Sequence, residues 1–539
     1  MDLDCDTLIV GGGTAGCILA ARLSEDPAHR VVLLEAGPAD TDPWIHIPAG
    51  YARLFASGKY DWKFGTEPEP ELNGRSIAWP RGRVLGGSGS INGLAFLRGS
   101  PHDYDRWAQA GARGWSYDDV LPAFRAIEDW QGAASPSRGS GGPIPVSEPR
   151  DLAPGAAAFV AACQEAGFPL HDDINADSIE GVAPIQMNVR RGRRVSTAQG
   201  YLRPARRRPN LRVVTGAAVS RILIEEGRAA GVLASVAGAP PAPIRAGQVI
   251  LSAGAIVSPK LLMLSGIGDG PQLQALGIPV HLHRPAVGQN LQDHLIARFA
   301  YRTRPAGTMN ERAGTLLRQA GMALGYALRR RGPMAVGATE ATLFARVTPG
   351  AEEAEVQFQF INFSLEPGRG YTLARHPGMM VNFGQCRPDS RGSISLRSAD
   401  PAAAPVIQAN YLSAPGDQRA MIEGARVARR IGRTAPFSAL VLEELAPPPE
   451  AESDEALLDY IRANGTTVYH PCGTCRMGSD DAAVLDPRLR VRGIEGLRVA
   501  DASVFPLIPS SNIQPAVMMV AERASAMIRD DLAGQRRAG

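Results

Sequence analysis

Cysteine, lysine and long apolar runs are all scarce in this chain of 539 residues. Its six cysteines are too few for a disulfide framework in so long a chain, which favours a reducing compartment. The first six residues are acidic where a secretory signal would be basic, and three glycines interrupt the apolar run that follows. No charge-free apolar run is long enough to cross a bilayer. We therefore expect a cytoplasmic protein with no transmembrane segment.

A strong excess of one charge is also missing. Lysine and arginine together number 57 against 54 acidic residues, a net charge of +3, and only three of these cations are lysines. Arginines cluster at residues 190–194, 206–208 and 329–331. Because no aromatic side chains interleave with them, the clusters are typical of solvent-exposed helix ends and loop rims. Nucleic acid is not an expected partner, and a nucleic-acid-associated protein built on these arginines is the weakest alternative.

The overall composition is that of a large globular protein. Hydrophobic residues make up 44% and charged residues 21%, which excludes a disordered chain and a membrane bundle. The length predicts two or three cooperating domains. The 59 glycines and 43 prolines indicate many loops and tight turns.

The N-terminal segment has the pattern of a dinucleotide-binding unit. An apolar strand at residues 7–10 is followed by glycines at the first, third and sixth positions of a loop, then a helix, then a second strand at 31–34 that ends in Glu35. The glycines leave backbone N–H groups bare at a helix N-terminus, where a pyrophosphate can bind. Glu35 follows Gly16 at the distance at which a carboxylate accepts hydrogen bonds from a ribose diol.

Further segments extend this unit. A second glycine-rich stretch at 82–93 predicts close approach of a flat or anionic group to the backbone. Strands are predicted at 211–214, 218–224 and 249–251, and residues 258–264 predict a helix with a serine cap and a proline in its first turn.

Between residues 299 and 464 the pattern changes. A helical stretch at 315–331 and alternating strands such as 356–360 and 392–396 predict a second domain with an antiparallel sheet and covering helices. Residues 497–503 return to the apolar-strand pattern of the N-terminus, so the C-terminal part is expected to rejoin the nucleotide domain.

Residues 470–478 contain the side chains most suited to catalysis, His470, Cys472 and Cys475. A redox dithiol is expected at the start of a helix in a small domain, and a zinc deaminase would need a His-x-Glu motif that this sequence lacks. A structural zinc would need a fourth ligand that nothing nearby supplies. We therefore expect no metal, interpret both cysteines as packing residues and keep His470 as an acid/base candidate.

Together these blocks resemble the glucose-methanol-choline (GMC) family of flavin-dependent oxidoreductases, over essentially the whole chain. The chain is similar to the branch of bacterial alcohol and choline dehydrogenases and of aryl-alcohol and hydroxymethylfurfural oxidases. The stretches that carry the resemblance are residues 11–16 with Glu35, 82–92, 254–268, 288–294 and 470–478.

The resemblance implies an α/β plus α+β fold, in which a substrate domain is inserted into a Rossmann-like FAD-binding domain. The FAD-binding domain would comprise residues 1–155, 199–298 and 465–539, and the substrate domain residues 156–198 and 299–464. A domain count read as consecutive blocks would then be wrong.

The resemblance also implies oxidation of a primary alcohol to an aldehyde, with further oxidation to the acid as an extension. His470 would take the hydroxyl proton while hydride passes to flavin N5. Asn92 would lie near the reactive edge of the flavin and Val219 near its adenine end. The implied FAD-binding residues are Gly11, Gly13, Thr14, Ala15, Gly16, Glu35, Ala36, Arg83, Gly87, Ser88, Asn92, Gly93, Val219, Ala253, Asp501 and Ala502.

Two positions depart from the family pattern. Where the family places a second histidine or asparagine opposite the first histidine, our alignment places Gln514, and a shift of two residues would place Asn512 there instead. Glutamine can donate a hydrogen bond but cannot act as a base. Members with covalent flavin carry a histidine directly before the asparagine of the first signature, and here that position is Ile91, which predicts non-covalent FAD.

Several alternatives stay open from the sequence. A flavin-containing lyase of the same fold, which cleaves cyanohydrins or decarboxylates fatty acids under light, is the main alternative function. The partners would be a small-molecule alcohol and an acceptor, either oxygen or a quinone or other electron carrier. The helix at 316–331 is compatible with peripheral contact to a membrane, with covering the pocket or with the core.

Overall fold

A computed structural model describes residues 3–538, and its strands lie mainly in two sheets of seven strands. The strands are β1 (Cys5–Val10), β2 (Val31–Glu35), β3 (Phe64–Gly65), β4 (Ala78–Trp79), β5 (Glu128–Trp130), β6 (Ile144–Val146), β7 (Gly181–Pro184), β8 (Val189–Arg190), β9 (Arg193–Arg194), β10 (Leu211–Thr215), β11 (Ala217–Glu225), β12 (Arg228–Val236), β13 (Ala242–Leu251), β14 (Ile267–Gly268), β15 (Leu282–His283), β16 (Leu295–Thr303), β17 (Ala341–Ala345), β18 (Val356–Ile361), β19 (Gly378–Gln385), β20 (Ser393–Ser395), β21 (Val406–Gln408), β22 (Val441–Ala446), β23 (Thr466–Thr467) and β24 (Leu497–Val499).

Helices connect and cover these strands. They are α1 (Thr14–Leu23), α2 (Pro43–His46), α3 (Tyr51–Ser57), α4 (Pro101–Gln109), α5 (Tyr117–Ile127), α6 (Pro154–Glu165), α7 (Arg203–Ala205), α8 (Gly254–Leu264), α9 (Gly270–Ala275), α10 (Met309–Arg312), α11 (Leu316–Arg329), α12 (Pro415–Arg433), α13 (Ala435–Ser438), α14 (Asp454–Asn464) and α15 (Gln514–Ala538).

The first sheet has the strand order β10-β2-β1-β13-β12-β11, with β24 paired to β13. Strands β10, β2, β1, β13 and β24 run parallel, and β11, β12 and β13 form an antiparallel meander. Every residue of β2 is buried, as expected where helices cover both faces of a parallel sheet. The predicted strands at 7–10, 31–34, 211–214, 218–224 and 249–251 are confirmed, and residues 497–503 begin with β24 as expected, so one sheet assembles from widely separated stretches.

The second sheet is antiparallel, in the order β22-β16-β19-β18-β17-β7, with β23 paired to β16. Helix α12 packs on it so closely that a Cβ added at Gly424 would lie 3.1 Å from Val356 and 3.2 Å from Phe383. The mixed fold class and the antiparallel sheet with covering helices are confirmed. The predicted strand at 392–396 is not part of this sheet, because β20 pairs with β21 in a separate two-stranded ladder. The exact domain boundaries stay a prediction.

Helix α8 begins four residues before the predicted start. Pro259 therefore lies inside the helix rather than in its first turn, and it cannot donate to the carbonyl of Ala255 one turn earlier. That carbonyl instead accepts a 2.6 Å hydrogen bond from Thr474 Oγ1. Ser258 does not cap the helix, because its hydroxyl donates to Asp501 Oδ2 at 2.6 Å.

The interpretation of residues 316–331 as part of the core is wrong, because α11 is largely exposed. Its only buried residue is Tyr326, whereas four leucines are 61–84% exposed. These are Leu316, Leu317, Leu324 and Leu328. Contact between this face and a membrane surface stays a prediction. Within residues 3–538, no helix is long and apolar enough to span a bilayer.

Candidate functional site

The carboxyl ends of the parallel strands open onto a cavity of about 770 Å³. The residues that follow β1, β2 and β13 line one part of it, as expected because open α/β sheets bind ligands beyond the carboxyl ends of their strands. One face of the antiparallel sheet, formed by β16, β18 and β19, lines another part. The remaining walls include segments within residues 80–95, 467–471 and 512–517.

Every residue predicted to bind the cofactor lines this cavity except Gly16. Gly16 lies in α1, where an added Cβ would be 1.9 Å from the carbonyl oxygen of Gly11. Its role is to let the helix pack against the loop, so the prediction that it binds the cofactor directly is corrected. The cavity-lining candidates are Gly11, Gly13, Thr14, Ala15, Glu35, Ala36, Arg83, Gly87, Ser88, Asn92, Gly93, Val219, Ala253, Asp501 and Ala502.

The loop after β1 is shaped to present bare backbone. Gly11 has a φ of +103°, and a Cβ there would lie 2.5 Å from Ser252 O. Gly254, which also lines the cavity, has a φ of +85° and open space where its Cβ would be. Helix α1 starts at the loop, and the first N–H groups of a helix have no partner within it, which suits a phosphate. The residues present therefore fit a dinucleotide.

Glu35 holds the loop and has capacity for a ligand. Its Oε2 accepts a 2.8 Å hydrogen bond from Gly12 N, and its Oε1 accepts one of 2.7 Å from Gly37 N. Burial raises the pKa of this carboxyl to about 7, although both backbone hydrogen bonds oppose the rise. Each carboxylate oxygen has a second lone pair, so the group can also accept from a diol.

His470 is held from the backbone by Asp293. Asp293 Oδ1 accepts a 2.7 Å hydrogen bond from His470 N, and its Oδ2 accepts one of 2.5 Å from Thr467 Oγ1 and one from the hydroxyl of Tyr411. The residue before the histidine, Tyr469, has a φ of 70°, a left-handed conformation that is uncommon outside glycine. The aspartate thus fixes a strained loop at the cavity wall.

A chain of hydrogen bonds fixes the tautomer of His470. His294 Nε2 lies 2.9 Å from the carbonyl of Cys386, which can only accept, so Nε2 carries the proton of neutral His294. His294 Nδ1 is then bare, and it accepts from His470 Nδ1 at 2.9 Å. This leaves His470 Nε2 without a proton, 3.1 Å from Asn512 Nδ2.

Both imidazoles are neutral at neutral pH. Burial lowers the pKa of His294 to about 4. The pKa of His470 lies well below its ordinary value, because of burial first and then because of repulsion from His294 and Arg81. His470 Nε2 is therefore an unprotonated acceptor at the cavity wall, where it receives a hydrogen bond from Asn512 Nδ2.

Asn512 and Gln514 both line the cavity, but they differ in their neighbours. Asn512 contacts His470, whereas Gln514 Oε1 accepts from Asn92 Nδ2, so the alignment that placed Gln514 against the histidine is corrected by two residues. Asn512 Oδ1 and Gln514 Nε2 are buried without a hydrogen-bond partner among residues 3–538. Two such atoms beside an empty volume are suited to the polar edge of a flavin or substrate.

Arg194 was expected in a solvated loop, yet its residue is only 2% exposed. Its guanidinium donates to Asn92 Oδ1 at 2.5 Å and to the carbonyls of Asn92 and Ile45 at 2.7 and 2.8 Å. Burial lowers its pKa to about 9. Arg194 therefore fixes the orientation of Asn92 at the cavity, whereas Arg190, Arg191 and Arg193 are exposed as predicted.

The two cysteines near His470 are core residues. Cys472 and Cys475 are both 0% exposed and form no disulfide. Burial raises the pKa of both thiols well above the ordinary value, so neither is a nucleophile at neutral pH. The packing interpretation is confirmed.

Three functional contributors were not identified from the sequence: Asp293, His294 and Arg194. The signal for the first two was present, because they end the stretch 288–294 that carries part of the family resemblance. What could not be read from the sequence is that this stretch meets His470, which lies 176 residues from His294.

Comparison with known proteins agrees with this geometry. Two family models described as GMC oxidoreductase match residues 5–296 and 388–521. The chain is 41% identical over 529 residues to an oxygen-dependent choline dehydrogenase of Brucella melitensis, covering 98% of this chain and 96% of the relative.

Solved structures share the fold over almost the whole length. Pyridoxine 4-oxidase from Mesorbium loti superposes with a TM-score of 0.88 at 33% identity, covering 98% of this chain and 99% of that one. A formate oxidase variant of Aspergillus oryzae gives a TM-score of 0.90 at 30% identity with the same coverage. The chain therefore belongs to the GMC oxidoreductases, as an FAD-dependent enzyme that acts on CH–OH groups.

Proposed function

We propose that this enzyme oxidises a primary alcohol to an aldehyde, with His470 as the base that removes the hydroxyl proton. The observation that carries the proposal is the bare Nε2 of His470 at the cavity wall, beside Asn512 Nδ2 at 3.1 Å. An alcohol that displaces the Asn512 amide from Nε2 would donate its hydroxyl proton to His470 and accept a hydrogen bond from Asn512 Nδ2.

Removal of the hydroxyl proton creates a positive charge on His470 and a negative charge on the alcohol oxygen, and neighbouring groups stabilise both. When His470 takes the proton at Nε2, its Nδ1–H still donates to His294, whose orientation is fixed by the carbonyl of Cys386. Asn512 Nδ2 and the charge of the protonated imidazole stabilise the developing alkoxide. When bound, FAD supplies at N5 the acceptor for the hydride that leaves the carbinol carbon.

We propose further that FAD is held without a covalent bond. The position before Asn92 is Ile91, a buried aliphatic residue, and among the described residues that line the cavity the single histidine is His470. The Gly11 loop, the α1 N-terminus and Glu35 would hold the dinucleotide, and Gln514 Nε2 would meet a ring carbonyl. The domain division given above is part of this proposal.

The electron acceptor and the alcohol substrate have to be identified by experiment. The name of the Brucella relative suggests choline and oxygen, but the two acidic residues that line the cavity, Glu35 and Asp501, both accept backbone hydrogen bonds. Neither lies on the antiparallel sheet that lines the other part of the cavity, so no carboxylate among the described residues there would balance a quaternary ammonium. The lyase alternative has no observation in its favour.

The test is anaerobic addition of aliphatic, aromatic and amino alcohols, with choline among them, to the FAD-loaded enzyme. We expect the flavin absorbance to bleach with at least one alcohol, and turnover with oxygen or with a quinone dye then identifies the acceptor. His470→Asn should slow bleaching by about 100-fold or more at unchanged FAD content. A flavin that stays oxidised while a cyanohydrin or fatty acid is cleaved would overturn the proposal in favour of a lyase.

A further inference from the structure

A row of polar side chains crosses the sheet face that lines the cavity. Arg298 of β16 lies directly opposite Asn382 of β19, and Asn382 lies directly opposite Gln359 of β18. Residues directly opposite on neighbouring strands share a face, with Cβ atoms about 5 Å apart. All three residues line the same cavity as His470, so the row is one continuous polar strip within the site.

None of the three side chains has a partner in the described part of the chain. No carboxylate lies within 4.0 Å of the Arg298 guanidinium, and no hydrogen bond uses the side-chain amide of Asn382 or of Gln359. Asn382 Oδ1 is buried and unsatisfied, and Gln359 is 6% exposed. Polar groups placed this deep normally have partners, because leaving them unpaired costs free energy.

Apolar residues border the strip on both sides. Ile296 lies two residues before Arg298, and Ile361 and Met380 lie two residues from Gln359 and Asn382, so all three apolar side chains share the cavity face. An aromatic cluster forms a nearby wall, since Phe55 stacks on Tyr371 at 5.4 Å and on Tyr469 at 5.5 Å.

The strip and the base are at a fixed separation. His294, which contacts His470, directly precedes β16, and Arg298 lies four residues further along the chain. At about 3.3 Å per residue this places the Cα atoms of His294 and Arg298 about 13 Å apart. Because Arg298 and His470 also line the same cavity, one bound molecule can contact both groups.

We propose that Arg298, Asn382 and Gln359 form an anion subsite that binds the carboxylate of the substrate while its CH2OH group lies at His470. The substrate class is then a primary alcohol with an apolar or aromatic body and a carboxylate at its far end. This inference rests on the proposed alcohol oxidation. The planar guanidinium fork matches a carboxylate bidentately, and the two amides supply further donors.

The charges favour a monoanion over a dianion or a cation. Within the strip a single guanidinium neutralises a single negative charge, whereas a phosphate dianion would leave charge uncompensated there. The other cations that line the cavity are engaged elsewhere: Arg81 and Lys260 donate to backbone carbonyls, and Arg83 lies over the Trp62 ring. A cationic substrate such as choline would face Arg298 with no carboxylate of the described residues beside it, since the two acidic residues that line the cavity, Glu35 and Asp501, end or follow strands of the other sheet.

The experiment compares matched alcohols that differ at one end. Para-(hydroxymethyl)benzoate is compared with its methyl ester, its phosphonate analogue and the analogue carrying trimethylammonium, by anaerobic flavin bleaching and by steady-state turnover. Binding is measured separately with para-methylbenzoate, which has no hydroxyl group, by calorimetry on the FAD-loaded enzyme. We expect the benzoate to have the highest kcat/KM and para-methylbenzoate to bind in competition with it.

Arg298→Gln tests the assignment to this residue. We expect about a 10- to 100-fold weaker binding of para-methylbenzoate and a similar fall in the preference for the acid over its ester, because hydrogen bonds to a charged group are lost. Arg298→Lys should retain part of the preference. Arg302→Gln is the matched control, since Arg302 lies on the same strand, is exposed and is outside the cavity-lining set.

The outcomes separate the two proposals. If the ester, the phosphonate or the cationic analogue is preferred, or if Arg298→Gln binds para-methylbenzoate as well as the wild type while FAD content and melting temperature are unchanged, the carboxylate subsite is wrong and alcohol oxidation stands. If no alcohol bleaches the flavin but para-methylbenzoate binds in an Arg298-dependent way, the subsite stands and the proposed reaction is wrong.

Discussion

His470 Nδ1 lies 2.9 Å from His294 Nδ1, and this contact determines which nitrogen of His470 faces the cavity as a base. The tautomer of His470 is determined by a group that it does not contact. The carbonyl of Cys386 holds the proton of His294 on Nε2, and the bare Nδ1 of His294 then requires a proton on His470 Nδ1. His294 thus acts as a positioning residue through His470 rather than on the substrate.

Replacing His294 tests this relay with a matched pair of variants. His294→Leu removes the acceptor for His470 Nδ1–H, which frees the imidazole to adopt the wrong tautomer, and we expect kcat to fall by about 10- to 100-fold. His294→Asn places an amide oxygen near the position of Nδ1 and should restore much of the loss. Equal activity of the two variants, at equal FAD content and melting temperature, would show that the contact only fills space.

The pH dependence of kcat/KM follows from the lowered pKa of His470. Burial, His294 and Arg81 all disfavour its protonated form, so the neutral base persists below the ordinary histidine pKa of 6.5. Activity that needs this base is lost as the pH falls through the pKa, so we expect kcat/KM to stay level from neutral pH down past 6.5 and to fall only under more acidic conditions. Initial rates across buffers of constant ionic strength measure this, and an acid limb centred at or above 6.5 contradicts it.

Asn512→Asp is expected to raise the pKa of His470 again. It places a carboxylate where the amide nitrogen now lies 3.1 Å from His470 Nε2, and an adjacent negative charge stabilises imidazolium. The acid limb of kcat/KM should therefore move upward by a unit or more, so that activity at neutral pH falls and recovers as the pH rises. Asn512→Ala removes the donor without adding charge and is the control. It should lower kcat and move the limb much less than Asn512→Asp does.

The strands of the nucleotide sheet could be predicted from the sequence because local composition determines them. Residues 7–10 and 31–34 are continuous apolar runs, and a buried parallel strand requires little else. The start of α8 could not be predicted, because it depends on a 2.8 Å hydrogen bond from Gly254 N to Asp501, 247 residues away. The local signals at Ser258 and Pro259 indicate a later start, but the contact with Asp501 allows the helix to begin at Gly254.

Some residues of the candidate site could likewise be predicted from the sequence, and others could not. His470 and the glycine loops could be predicted because residue type and spacing carry the information. The roles of Arg194 and Arg298 could not, since an arginine in a basic loop or on a strand is usually solvated. Only the fold brings Arg194 to Asn92 and leaves Arg298 without a carboxylate partner among the described residues.

Flavin attachment is tested by denaturation. Ile91 offers no nucleophile, and the one histidine among the described cavity-lining residues, His470, is assigned to proton transfer. We expect acid precipitation to release all FAD into the supernatant, with a colourless pellet. Yellow protein after precipitation, or a peptide carrying the mass of flavin, contradicts the proposal.

Glu35 should control how tightly FAD is retained. Its two oxygens each accept a backbone hydrogen bond, from Gly12 and Gly37. In Glu35→Gln one oxygen becomes an NH2 group that faces an N–H donor, so one buried hydrogen bond is lost at a cost of about 1–3 kcal/mol and the loop is displaced. We expect the Kd for FAD to rise by about tenfold or more, measured by equilibrium dialysis of the reconstituted apoprotein. Glu225→Gln, on the exposed end of β11, is the control, and FAD binding by Glu35→Gln that matches this control would contradict the assignment.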